Sequence, residues 1–444
     1  MKKYFPYLLA SLIILTASAV SAQFEGYASM TAGYNNNPLY NFQKLGDQIK
    51  QGYLELKYSK EYQKSALNFS YVSGLMLFNN LADRNYYEQT LAASYVFKYP
   101  KSSSIEPPKI IKPKPAEGDS SGDEEAEIDS TGITVEDADS DASEKDEESV
   151  FNSLVIGASV NSRFDKNIFK EFDNHGFAFN MRYNHETNPD FNYSISNTVS
   201  LRNYTYISGL SNITDLLSIE AGAKNGSKFS YGAILSGGFK YYTETFYDTT
   251  QFEQTRTFNT KSQGKGKPGS VTASSKKILV TPQSNGTYQL AMGFYTKKEW
   301  DNGSFGSNFI YRYNVRSENR YLAQYVNTSF LSEDIYNDFF SYEGPEAVLK
   351  YSQILTAKIK LDLELQVQYK KFKAPALNLI GEQTAGNRND LRSSAEATLS
   401  RYFNLSDNFG FDITISGGVL RNESNDEYND FSSYFLSAGI GIGL

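Results

Sequence analysis

Hydrophobicity along this chain alternates residue by residue, in stretch after stretch of roughly ten residues. The plainest case is 358–370, where Ile359, Leu361, Leu363, Leu365, Val367 and Tyr369 alternate with Lys360, Asp362, Glu364, Gln366 and Gln368. A period of two means extended strand, with one apolar face and one charged face. The rhythm runs from Phe24 to Leu444. A soluble two-sheet sandwich would show the same alternation, but the chain has little continuously apolar sequence with which to fill a large soluble core. The economical solution is a closed barrel, apolar outside and polar inside. Closure pairs every backbone group within the sheet, as a membrane interior requires.

The first residues read as an export signal. Lys2 and Lys3 precede an apolar run over 8–20, and Val20-Ser21-Ala22 places small residues where a signal peptidase cuts. This predicts a signal peptide over 1–22, cleaved before Gln23, and an outer-membrane barrel over 23–444. The apolar run is short for a membrane anchor. The chain has no cysteine, so disulfides and thiol chemistry are excluded. Tyr (34) and Phe (30) make up nearly all of the 15% aromatic content, which suits aromatic girdles at two membrane interfaces.

Short and long connections alternate. Short turns are expected at 61–64, 187–190, 225–227, 301–304, 355–357 and 404–408; Asn225-Gly226 and Asn302-Gly303 are dipeptides that tight hairpins prefer. Longer polar connections are expected at 35–50, 79–85, 165–174, 208–215, 250–286, 317–344, 374–390 and 422–432. The strands between them are predicted at 24–34, 51–60, 65–77, 86–99, 151–163, 175–186, 190–206, 215–224, 227–249, 287–299, 305–316, 346–354, 357–372, 391–403, 409–421 and 433–444. That makes an all-β, antiparallel up-and-down transmembrane barrel of about sixteen strands, or fourteen if two near 346–354 are misread. Bacterial barrels carry short periplasmic turns and long outer loops, so the alternation also assigns sidedness.

One segment breaks the pattern. Residues 100–149 open with a Pro/Lys-rich stem around Pro107, Pro108, Pro113 and Pro115, then turn acidic with almost no aromatics. Residues 101–150 hold sixteen acidic against five basic residues, so the formal charge of −8 belongs to this insertion. Such a composition buries too little surface to offset chain entropy and predicts a disordered insertion on the periplasmic side. A tether and an inert solvated insertion are the two readings of it.

At this point the chain resembles a Gram-negative outer-membrane β-barrel of the porin-like kind. The last strand carries the resemblance most specifically. Ser437, Gly439, Ile442 and Leu444 match the C-terminal assembly signal of that class, except that its terminal residue is usually aromatic. The stretch Gly33-Tyr34-Asn35-Asn36-Asn37-Pro38 also resembles the opening of some porin families. The resemblance implies the barrel-assembly machinery as a partner, outer-membrane lipid and lipopolysaccharide as surroundings, and small polar solutes as cargo.

No sequence feature marks an enzyme, a cofactor site or a nucleic-acid surface. The two histidines, His175 and His185, lie ten residues apart on one strand, about 30 Å, too far to share a metal. His175, near the outer rim, is the one candidate base for a rim lipase, with no serine partner evident; a solvated rim histidine is the plainer reading. The oxygen-rich stretch 423–430 lacks the spacing of a calcium loop and reads as a solvated acidic loop. The basic stretch 261–277 reads as a flexible loop.

The lumen is the better place to look. Alternation puts Lys57, Arg163, Arg182, Arg202, Lys224, Lys240, Lys297, Arg312, Arg316, Lys358, Lys360 and Lys370 on the inner face, with Glu55, Glu220, Asp362, Glu364, Glu396 and Asp412. Twelve cations against six anions suggest a mildly anion-preferring pore. Wall-bracing ion pairs are the competing reading. The function expected is passive diffusion of small polar solutes; the alternative is a non-conducting barrel that binds a surface partner or tethers a periplasmic one.

Overall fold

The structure, a computed structural model, describes residues 23–443 except 101–150, 244–250, 261–268, 279–285, 317–338 and a few short stretches in other connections. Residues 1–22, expected to be a signal peptide, the acidic stretch after Pro100 and Leu444 lie outside the described residues.

Eighteen strands are described. They are β1 (Gln23–Asn35), β2 (Asp47–Tyr62), β3 (Ser65–Phe78), β4 (Tyr86–Pro100), β5 (Phe151–Asp165), β6 (Asn174–Asn188), β7 (Phe191–Tyr204), β8 (Asn212–Asn225), β9 (Phe229–Tyr242), β10 (Gln251–Thr260), β11 (Gly269–Ile278), β12 (Gly286–Trp300), β13 (Gly303–Arg316), β14 (Gly344–Thr356), β15 (Ile359–Leu377), β16 (Gln383–Ser406), β17 (Phe409–Ser424) and β18 (Phe431–Gly443). Sixteen close into one antiparallel up-and-down barrel, with β18 paired to β1. All sixteen were expected from the alternation, including the weakly patterned β14. β10 and β11 form a separate two-stranded sheet inside the connection expected to be a loop. Their sequences lack an apolar alternate face, which is why periodicity missed them.

Register fixes the two faces. Phe177, Phe179 and Met181 on β6 and Phe309, Tyr311 and Tyr313 on β13 are exposed on the outer wall. Because facing residues pair across every ladder, the outward parity carries from strand to strand: Phe69↔Ala93, Ala158↔Phe179, Ile219↔Leu235, Phe294↔Phe309 and Val367↔Ser393 all lie outside. An apolar outer band on a closed sheet is the solution lipid demands. One end carries tight turns; at Gly226 the backbone takes φ 67°, which glycine adopts without strain. The other end carries the long connections.

Burial among the described residues concentrates at the long-loop end. Tyr86, Phe172, Tyr204, Tyr242, Phe340, Phe372, Leu377 and Tyr428 are all 2% exposed or less. They stand around the inside of the mouth as a collar, in which Leu377 and Tyr428 pack with Phe42, while mid-barrel inner residues stay half-exposed. β15 and β16 run past their expected ends into this collar, pairing Pro375↔Asn387 and Leu377↔Gln383 after register shifts. Their polar composition there signals loop, yet pairing persists where the collar supports it.

Candidate functional site: the lumen and its mouth

Strand periodicity puts residues i and i+2 on one face, and the inner wall uses this to pair charges along single strands. Lys57 meets Glu55 at 2.9 Å, Lys360 meets Asp362 at 3.0 Å, and Lys297 pairs with Glu299. Arg182 on β6 reaches past β7 to Glu220 on β8 at 3.5 Å, and adjacent β14 and β15 pair Lys350 with Glu364 at 2.9 Å. At the long-loop end, Arg163 grips Asp165 through two bonds of 2.7 and 3.1 Å, and Arg312 meets Glu346 at 2.5 Å. Lys240 is buried there, its ammonium 5.1 Å from the Tyr242 ring centre. Arg202 faces inward between Gly176 and Asn212, and Lys224 faces inward opposite Ser230 near the turns.

Two expected residues stand elsewhere. Lys358 occupies the tight turn between β14 and β15, with φ 75°, and is not on the wall. Arg316 ends β13 beyond the register shift at Tyr288/Gln289. A two-residue turn and a bulge each break the parity count on which the expectation rested. The lumen also holds charges the sequence reading passed over. Glu25, Glu88, Asp165, Glu299, Glu346 and Asp390 face inward by register, as do Lys350, Arg388 and Arg392. Opposite charges spaced i, i+2, as in Arg163-x-Asp165 and Arg388-x-Asp390, were the available signal.

The mid-height wall is lined by small side chains. Ser70, Ser94, Ser159, Ser196, Ser218 and Ser236 all point inward by register. Several inward rings lie against glycines of the wall. A Cβ on Gly222 would stand 2.5 Å from the Tyr295 hydroxyl, and one on Gly232 would be as close to the same ring. Phe435 covers Gly418 in the same way, and Tyr27 crosses Gly441 to donate its hydroxyl to Asp412 at 3.1 Å. Glycine on one strand thus keeps a ring on the next strand out of the channel.

The mouth is narrowed by a described turn, Phe339–Ser341, docked on the inside of β12–β15. The Gln289 amide reaches the carbonyls of Phe339 (2.6 Å) and Tyr342 (3.1 Å). Gln368 donates to the Tyr342 hydroxyl at 2.7 Å, and Lys370 sits 4.6 Å over that ring. Glu346 accepts from Arg312, Gln366 (2.8 Å) and Gln368 (3.1 Å).

The 424–431 connection corrects the solvated-loop expectation. Asp426 is fully buried and accepts the backbone N–H of Leu377 (3.0 Å) and of Tyr428 (3.1 Å), with the Asn429 amide at 2.8 Å. It clamps this connection to the end of β15, and Tyr428 donates to the Leu379 carbonyl at 2.8 Å. Burial pushes the Asp426 carboxyl above the usual carboxylate range, despite the nearby Arg388. The basic stretch 261–277 falls partly on β11; 261–268 lie outside the described residues.

His175 does have a serine beside it. Ser162 is its cross-strand neighbour, with Oγ 2.9 Å from Nδ1, and both face outward. Asn203 is the next residue in register, but its side-chain oxygen accepts from Ser211 at 3.0 Å. Among the described residues no third group bonds the other ring nitrogen, so the pair lacks the orienting partner that serine–histidine chemistry uses.

No family model matches the chain, and no curated protein matches it. Among solved structures it is similar to OprD of Pseudomonas aeruginosa, at 7% identity over 95% of each chain with a TM-score of 0.41. It is similar to OccAB4 of Acinetobacter baumannii, at 8% identity over 95% of this chain and 98% of that one, TM-score 0.43. It is likewise similar to a loop L8 deletion mutant of OmpT, an outer membrane protein of Vibrio cholerae, at 7% identity over 96% of this chain and 100% of that one, TM-score 0.37. By its own strands, pairing and faces, the chain is a closed sixteen-stranded antiparallel β-barrel with an apolar outer wall.

Proposed function

We propose that this protein is an outer-membrane channel for passive diffusion of small polar solutes. The observation that carries the reading is the mid-barrel inner wall. Many of its side chains are small and hydroxylated, its charges pair sideways along the wall, and several of its rings lie against glycines. Each device keeps groups out of the central space. Barrels of about sixteen strands are wide enough to hold water once the wall does so. The lumen conducts without catalysis, and the described residues supply no complete catalytic set.

Selectivity arises at the mouth. Mid-barrel cations are largely matched by carboxylates, so their preference is weak. In the long-loop half, Arg163, Arg202, Lys240, Arg312, Lys370, Arg388 and Arg392 face inward against Asp47, Glu88, Asp165, Glu346 and Asp390. That excess favours anions mildly. Lipopolysaccharide and outer-membrane lipid surround the barrel, and the C-terminal Ser437, Gly439, Ile442 and Leu444 address it to the barrel-assembly machinery.

The docked collar favours one second reading, a non-conducting barrel that presents its loops to a surface partner. Single-channel conductance of the refolded chain from Gln23, with reversal potential in a salt gradient, separates the two. Discrete ohmic openings with a mild anion preference are expected. A folded, heat-modifiable barrel without openings would overturn the channel reading.

A further inference from the structure

The inner wall is not furnished equally around the barrel. Towards the turn end of β1–β4, a cavity of about 250 Å³ opens on the lumen, walled chiefly by Glu25, Lys57, Ser59, Asn68, Ser70 and Ser94. Register sets these in two adjoining inward rows, Glu25↔Lys57↔Ser70↔Ala92 and Ser59↔Asn68↔Ser94. The floor stays low because Ala92 and Ser94 lead on to Ser159 and Gly157 on β5, all of them small. Directly across the barrel, β13–β15 turn the bulkier Ile310, Val348, Lys350 and Glu364 inward. One and two rows further up from the cavity, Tyr27 and Tyr53 face inward with ring centres 6.2 Å apart. Tyr27 rests on Gly441, so the free face of its ring is turned to the lumen.

We infer that this sector of the lumen is a binding subsite for a neutral polyhydroxylated solute of the sugar class. The groups around the cavity are of mixed sign. Lys57 is held by Glu55 at 2.9 Å, and Glu25, exposed to the lumen, faces Lys57 across the strands. An anion therefore meets two carboxylates beside the one ammonium. A cation gains Glu25 but meets Lys57, and neither sign is favoured as it is at the mouth. The other groups are hydroxyls and an amide, which donate and accept as a sugar hydroxyl does. Ser59 donates to the Asn68 side-chain oxygen at 2.8 Å, so the Asn68 amide N–H groups remain donors. A sugar ring also has C–H faces, and the tyrosine pair one step up offers them aromatic surface. A small cavity with a few convergent polar groups beside an apolar platform is the general form of a small-molecule site. The inference rests on the channel reading of the lumen and names a solute class for it.

Binding is read without conduction, by ligand-observed NMR titration of the detergent-refolded chain with glucose, glucosamine and gluconate. Glucose should bind saturably with a Kd of about 1–10 mM, weak enough to release a passing solute, and more tightly than either charged analogue. Ala92→Phe and Ser94→Leu each fill the floor of the cavity and should weaken glucose binding on the order of tenfold. Tyr53→Ala should weaken it about fivefold, and Val348→Phe, across the barrel, should leave it unchanged. Heat-modifiability confirms that each variant is a folded barrel. No saturable glucose binding, tighter binding of glucosamine or gluconate, or native affinity in both filled variants would overturn the inference. Glucose binding by a barrel that shows no channel openings would sink the channel reading and leave the subsite standing. Open channels that bind no glucose would sink the subsite alone.

Discussion

Replacing Glu346 by glutamine should loosen the mouth and raise its anion preference together. The carboxylate accepts from Arg312 at 2.5 Å and from two glutamine amides, Gln366 and Gln368, and both ion-pair side chains are only 13–14% exposed. Breaking a fully buried pair by removing one partner costs about 3–5 kcal/mol. This pair borders a water-accessible lumen, so roughly half that, about 2 kcal/mol, is the reasonable magnitude. The loss falls on one spot. Arg312 and Lys370 both lie over the Tyr342 ring, at 5.8 and 4.6 Å, and the substitution removes the carboxylate that holds Arg312 there. Glu346→Gln should therefore lower the temperature of barrel unfolding on semi-native gels and shift the reversal potential toward anions. Arg312→Gln should lower the unfolding temperature too, but shift selectivity the opposite way. In a double-mutant cycle the two should couple by about 2 kcal/mol. An unfolding temperature and reversal potential both unchanged in Glu346→Gln would refute the reasoning, because they would mean that the pair neither braces the mouth nor sets its field.

Gly222→Ala places a Cβ 2.5 Å from the Tyr295 hydroxyl, so the ring should lift off the wall and lower single-channel conductance while the barrel still folds, at a stability cost of about 1 kcal/mol. Arg182→Glu should cost less than about 1 kcal/mol, because Arg182 and Glu220 are 51 and 37% exposed, yet it should move the reversal potential toward cations. Asp426 has a carboxyl raised by burial, so folding takes up a proton there and its contribution to stability grows as pH falls through that raised value and is lost as pH rises through it. The stability difference between the native chain and Asp426→Asn, followed by unfolding from neutral pH to about pH 4, should change in that direction; an unchanging difference would contradict it.

Alternation alone determined much of this protein. It gave the sixteen barrel strands, their faces and the side on which connections are short, because a side chain's face in a strand depends only on parity. The weakly patterned β14 was among them. Parity also put Arg163, Arg182 and Arg312 in the lumen. It could not say that Arg182 and Arg312 would meet carboxylates, because their partners Glu220 and Glu346 come from other strands and depend on register across the closed sheet. Parity failed at Lys358 and Arg316, where a turn and a bulge reset the count. The collar was invisible to it: the buried Asp426 reads as a solvated acid until two distant connections meet around it. Local periodicity fixes which way a residue points, but what it points at is decided by long-range pairing.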